Sequence, residues 1–145
     1  MTQTVNHEYS QEERLLGGLA HASIVTGAIG PAVTLLIYLT QKEKSTFVAR
    51  QSLQATLYQL VGLVVIIISW SCWGLFYALT FIPIITNPDQ YQDAPPPIFW
   101  VGLGSMVIPF IMMGLWGLYG LYGAVRAWAG VDFRYAFIGQ LKVLN

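Results

Sequence analysis

From Gln51 to Pro88 the chain runs 38 residues without an Asp, Glu, Lys or Arg, bracketed by Arg50 and Asp89. Its centre, Leu60 to Ile82, reads LVGLVVIIISWSCWGLFYALTFI. That exceeds the roughly 20 apolar residues an α-helix needs to cross a hydrocarbon layer. Helix is the economical conformation there, because lipid offers no partner for a backbone N–H or C=O. At 1.5 Å per residue the whole run would be about 57 Å long against a core near 30 Å, so part of it lies outside the hydrocarbon. Two crossings and a turn do not fit.

Only 10% of the residues are charged and 55% are hydrophobic, whereas about a quarter of a soluble domain is charged. The fold class is therefore all-α, a single polytopic membrane domain over residues 1–145. The formal charge is zero, which gives no reason to expect a nucleic-acid partner. One cysteine, Cys72, precludes an intramolecular disulfide and a thiolate metal site. Met1 to Gln11 lacks a basic stretch, so a cleaved signal peptide is not expected.

Three transmembrane helices are expected, at about 15–39, 58–83 and 98–125. Ser10, standing before Glu12 and Glu13, reads as a helix N-cap. In span one, Gly18, Ala22, Thr26 and Gly30 recur at every fourth position, the small-residue spacing by which membrane helices approach closely. Ser52, Thr56 and Gln59 share one face at the start of the second helix and predict an interfacial turn or two. That stripe would line a hydrophilic path or, on the blander reading, bond to the helix and its neighbours. Pro83 and Asn87-Pro88 end span two, and Pro109 predicts a kink in span three. Gly114, Gly117, Gly120 and Gly123 then form a ridge beside Trp116, Tyr119 and Tyr122. The tail 126–145 stays apolar and reads as interfacial, on the membrane surface or docked on protein.

Lys42, Lys44 and Arg50 lie between the first two spans, and Arg126, Arg134 and Lys142 follow the third; only Arg14 precedes the first. Counted by the positive-inside rule, this sets the N-terminus outside and the C-terminus in the cytoplasm, with the chain in the cell inner membrane.

Several stretches carry a resemblance: Leu19-Ala20-His21-Ala22-Ser23, Gly30-Pro31 leading to Leu36-Ile37-Tyr38-Leu39, Lys42-Glu43-Lys44-Ser45, Phe47-Val48 followed by Gln54-Ala55, and Gly130 followed by Arg134-Tyr135. The chain resembles the Tic-twenty-like family, which joins a chloroplast inner-envelope import component with bacterial multi-pass membrane proteins. The resemblance implies a polytopic helical fold and, in the chloroplast branch, protein import.

His21 is the one ionisable side chain at depth, and such residues count as functional until a partner is found. With Gly17 four residues before it, a haem or chlorin ligated by His21 is a possible cofactor; the bland alternative is a hydrogen bond to a neighbouring helix. No HExxH, GxSxG, P-loop or paired-cysteine motif supports catalysis. The function expected is that of a non-catalytic accessory subunit, in contact with the lipid bilayer and other integral membrane proteins. The alternatives are a transport or protein-translocation component and a pigment- or haem-binding protein.

Overall fold

The computed structural model describes residues 9–140, and all regular structure among them is helical. Three helical stretches are long and apolar enough to cross a membrane: Gln11–Gln41, Thr46–Thr86 and Pro97–Trp128. The chain divides into two compact units, one formed by Met1–Gly62 with Gly117–Asn145, the other by Leu63–Trp116. Lys142 lies outside the described residues.

In the first unit, α1 (Gln11–Ala22) starts with a reciprocal cap: the Glu13 N–H donates to Ser10 Oγ at 3.2 Å, and the Ser10 N–H donates to Glu13 Oε2 at 2.8 Å. Two of the four donors left over at a helix start are so satisfied, with acidic side chains at the positive end of the helix dipole. The helix does not continue through the apolar run. Ser23–Ile29 tightens to 3-10 geometry and is broken at Gly27, whose φ of 63° and ψ of −125° suit a residue without Cβ. At Gly30 a second helix begins, α2 (Gly30–Gln41), with Pro31 in the first turn where its missing N–H costs nothing.

The two 12-residue arms fold back on each other. Ser45 Oγ, just beyond α2, donates to Glu13 Oε1 at 2.6 Å, and the Tyr9 ring stacks on Phe47 at 3.9 Å. This corrects the expected continuous stripe: Gly18 and Ala22 lie on α1, Thr26 in the 3-10 stretch and Gly30 on α2, so their fourfold register is not one face of one helix.

Helix α3 (Thr46–Leu79) is capped by Ser45 Oγ, which accepts from Val48 N–H at 3.3 Å. It stops four residues before Pro83, where the proline ring would meet the Leu79 carbonyl, and a short α4 (Ile82–Thr86) follows a turn. The same steric rule acts at Pro109. The third stretch is not kinked at the proline but divided at Ser105-Met106, into α5 (Pro97–Gly104) and α6 (Val107–Trp128). After α6, Gly130 at φ 76° closes the helix: its N–H donates to Ala127 O and the Val131 N–H to Arg126 O. That is the paired pattern of a glycine-terminated helix. The chain beyond is docked on protein, with Phe133 and Tyr135 buried in the first unit.

The second unit is held by aromatic rings. Trp70 meets Phe110 edge-on at 5.1 Å, Trp73 stacks on Tyr77 at 5.3 Å, and Phe81 meets Phe99 at 5.5 Å. Trp73 Nε1 donates to Gly102 O at 3.1 Å. Edge-to-face pairs of this kind contribute about 0.5–1.5 kcal/mol each beyond area burial.

Gly27 has no neighbour within 4 Å of where a Cβ would stand, so Gly27→Ala tests the backbone alone. We expect a loss of about 1–3 kcal/mol, read as a lower unfolding temperature in mild detergent. An unchanged midpoint would mean that the chain turns here without needing glycine.

Candidate functional site

The first helical turns of α3 carry Gln51, Gln54 and Gln59 among apolar neighbours, and all three are buried. An unpaired amide in such surroundings costs about 1–3 kcal/mol, so each must find partners. They do so on two faces, except that Gln54 Nε2 and Gln59 Oε1 are buried without a hydrogen-bond partner.

One face, Ser52, Thr56 and Gln59, receives the folded first stretch. Ser52 Oγ donates to Val48 O at 2.6 Å. Thr56 Oγ1 donates to Thr34 Oγ1 of α2 at 2.7 Å. Gln59 Nε2 reaches Ala20 O at 3.3 Å and Ser23 Oγ at 3.1 Å. These are the groups left bare where α1 ends. Ser23 Oγ in turn donates to Ala20 O and Thr26 Oγ1 to Ser23 O. The stripe thus bonds to neighbours inside the unit.

The other face holds His21 and the C-terminal segment. Gln51 Nε2 donates to Asp132 Oδ1 at 2.9 Å and to Phe133 O at 3.1 Å, which fixes its amide so that Oε1 points at His21 Nε2, 2.8 Å away. The imidazole therefore carries its proton on Nε2 and accepts at Nδ1 from the Tyr135 hydroxyl, 2.9 Å away. Burial, reinforced by the Tyr58 and Tyr119 phenols, holds the Tyr135 phenol above its ordinary range and keeps that donor protonated. Tyr135 also donates its backbone N–H to Gln54 Oε1 at 3.3 Å and stacks flat on Tyr58 at 4.0 Å. At the rim Arg50 closes on Asp132 at 2.7 Å, with Arg134 at 3.6 Å.

The small residues divide by use. A Cβ at Gly18 would strike the Trp128 indole, and one at Gly30 the Gln59 amide. At Gly120 it would stand 2.6 Å from Ile24, and at Gly123 2.9 Å from Phe133 and 3.2 Å from His21 Nδ1. Ala22 is half-buried and Thr26 exposed. Gly114 and Gly117 have nothing within 4 Å. The space beside Gly17 is taken by the Phe47 ring, 3.0 Å from a Cβ there. Among the described residues no three His, Cys, Asp or Glu side chains converge as metal ligands. Of the topology residues, Lys42 and Lys44 lie at the turn after α2, Arg50 and Arg134 meet at Asp132, and Arg126 stands 5.9 Å over the Tyr122 ring.

Residues 12–142 match the magnetosome magnetite crystal formation protein family. The chain belongs to that family. No curated protein and no solved structure shows a significant match to it. Membership in the magnetosome family overturns the Tic-twenty-like resemblance, and the transport or translocation role falls with it. The stretches behind that resemblance are short and answer local demands: Gly30-Pro31 restarts a helix, Lys42 to Ser45 makes a turn and the next cap, and Gly130 ends α6. Asp132, Phe133 and Tyr135, which complete the buried cluster in this magnetosome-family chain, were not apparent from the sequence as site residues. Their one signal was the surplus of glutamines at 51, 54 and 59, which require acceptors and donors from somewhere.

Because His21, Gln51 and Tyr135 act as one chain of bonds, their deletions should not add. We expect Gln51→Leu and Tyr135→Phe each to cost about 1–3 kcal/mol, and the double variant to fall short of the sum by about 0.5–3 kcal/mol. Equilibrium unfolding in mixed detergent measures it, and strict additivity would show the bonds to be independent.

Proposed function

We propose that this chain is a non-catalytic subunit of the magnetosome membrane that packs against other integral membrane proteins, and serves magnetite crystal formation by organising them. The observation that carries this reading is the division among the glycines. Gly18, Gly30, Gly120 and Gly123 are pressed by side chains of their own chain, while Gly114 and Gly117, one turn apart on α6, have nothing against them. In lipid, helices associate through close backbone approach, and an open glycine pair offers that approach to a partner. Family membership supports the setting, a magnetosome membrane engaged in crystal formation.

The reading includes no cofactor. Both imidazole nitrogens of His21 are engaged within the chain, and Phe47 occupies the room a macrocycle would need beside Gly17. Purified protein should show no haem or chlorin absorption band, and His21→Ala should leave the spectrum unchanged. A visible band lost in His21→Ala would reverse this point.

The subunit reading is tested by native electrophoresis of mildly solubilised host membranes. We expect the wild-type chain in a band well above its monomer mass, and Gly117→Leu to shift most of it to the monomer with the unfolding midpoint unchanged. Wild-type migration solely as a monomer would refute the reading.

A further inference from the structure

We infer that residues 11–41 do not cross the membrane but enter it and return, so that the N-terminal start of α1 and the end of α6 lie on the same, cytoplasmic, side. The stretch is long and apolar enough to cross as a straight helix, yet its two ends meet. Ser45 Oγ bonds to Glu13 Oε1 at 2.6 Å and Phe47 stacks on Tyr9. A straight helix would hold residues 13 and 45 about 48 Å apart at 1.5 Å per residue. Each arm has 12 residues, about 18 Å, well short of a hydrocarbon core of about 30 Å.

A chain turned at that depth must pair its freed carbonyls with protein, since non-helical backbone is tolerated in a bilayer only where protein or a cavity surrounds it. Gln59, Ser23 and Thr26 do this at the end of α1, bonding to Ala20 O and Ser23 O. The tip itself presents Val25 and Ile29, both strongly exposed and apolar, as lipid contact requires. An amide reaching from α3 to a broken helix end has no purpose in a straight span.

The charges follow the same division. A Cβ built on Gly130, just after α6, would stand 2.9 Å from Arg14 Nε, Lys42 and Lys44 lie between α2 and α3, and Arg50 and Arg134 share Asp132; Arg126 is in the last turn of α6. All six described basic residues therefore gather where α1 begins, α2 ends, α3 begins and α6 ends. Residues 86–97, by contrast, carry Asp89 and Asp93 and no basic residue. With residues 11–41 crossing, Arg14 would be an exception to the positive-inside rule; as a returning hairpin it is not. Thr46–Thr86 and Pro97–Trp128 then cross once each. The N-terminus is moved from the outside, where a count of three crossings put it, to the cytoplasm.

The test uses the full chain in a Cys72→Ser background, with single cysteines at Gln11→Cys, Lys44→Cys or Gln92→Cys. With the chain produced in the inner membrane of a bacterium that forms no magnetosomes, intact spheroplasts and inverted vesicles are treated with a membrane-impermeant maleimide, and labelling is normalised to detergent-solubilised protein. We expect Gln92→Cys to label at least fivefold more in spheroplasts, and Gln11→Cys and Lys44→Cys at least fivefold more in inverted vesicles. Gln11→Cys labelling together with Gln92→Cys, or all three labelling from one side, would overturn the inference. A second chain, Glu13→Cys with Ser45→Cys, should be joined within one molecule by a short bismaleimide and so show a shifted gel mobility. Absence of that cross-link would sink the hairpin whatever the labelling shows.

Discussion

A helix that stops inside an apolar environment leaves carbonyls with no partner, and the first unit is built around answering that deficit. The break comes at Gly27, and the answer comes from Gln59 on another helix, with Ser23 between them. Lipid and apolar side chains cannot hydrogen-bond, so a missing partner costs more than any one apolar contact returns. That inequality explains why a 34-residue helix of high overall hydrophobicity carries three glutamines, a serine and two threonines in its first 14 residues. Its first turns are polar because they face the interior of a folded-back chain.

The two units solve the packing problem with different chemistry. In the first, hydrogen bonds set the register, and glycines let the groups come close enough: Gly30 admits the Gln59 amide and Gly123 admits the Phe133 and His21 rings. In the second, Leu63–Trp116, rings serve instead of amides, with Trp73 supplying a bond to the Gly102 carbonyl near the end of α5. Both interruptions in the longer stretches fall four residues before a proline, at Leu79 and Ser105, which shows a single steric rule at work twice.

Much of this was legible in the sequence, and what was not has a common cause. Charge-free runs gave the three apolar stretches, Ser10 with Glu13 gave the first cap, and the spacing of Ser52, Thr56 and Gln59 gave a shared face. Each depends on residues close together in the chain. The fold-back at Gly27 was not legible, because Gly-Ala-Ile-Gly-Pro within an apolar run reads equally well as a tolerated irregularity in a straight span. What decides it is Gln59, 39 positions from Ala20. The docking of the tail was hidden for the same reason: Tyr135 meets His21 across 114 positions. The fragments that suggested the wrong family were likewise local solutions to capping and turning, which unrelated helical proteins share.

A buried histidine in a membrane protein raises the question of its partners, and here both ring nitrogens meet side chains of the same chain. His21 has its proton directed at Gln51 and its lone pair directed at the Tyr135 hydroxyl. Remove residues 131–135 and His21 Nδ1, Gln51 Nε2 and Gln54 Oε1 all lose their partners at once. The histidine is thus half of a socket whose plug is the segment after α6. The Arg50–Asp132 pair stands at the rim of that closure. Most of the polar groups described in the first unit are thus spent on closing the fold, the buried Gln54 Nε2 and Gln59 Oε1 excepted.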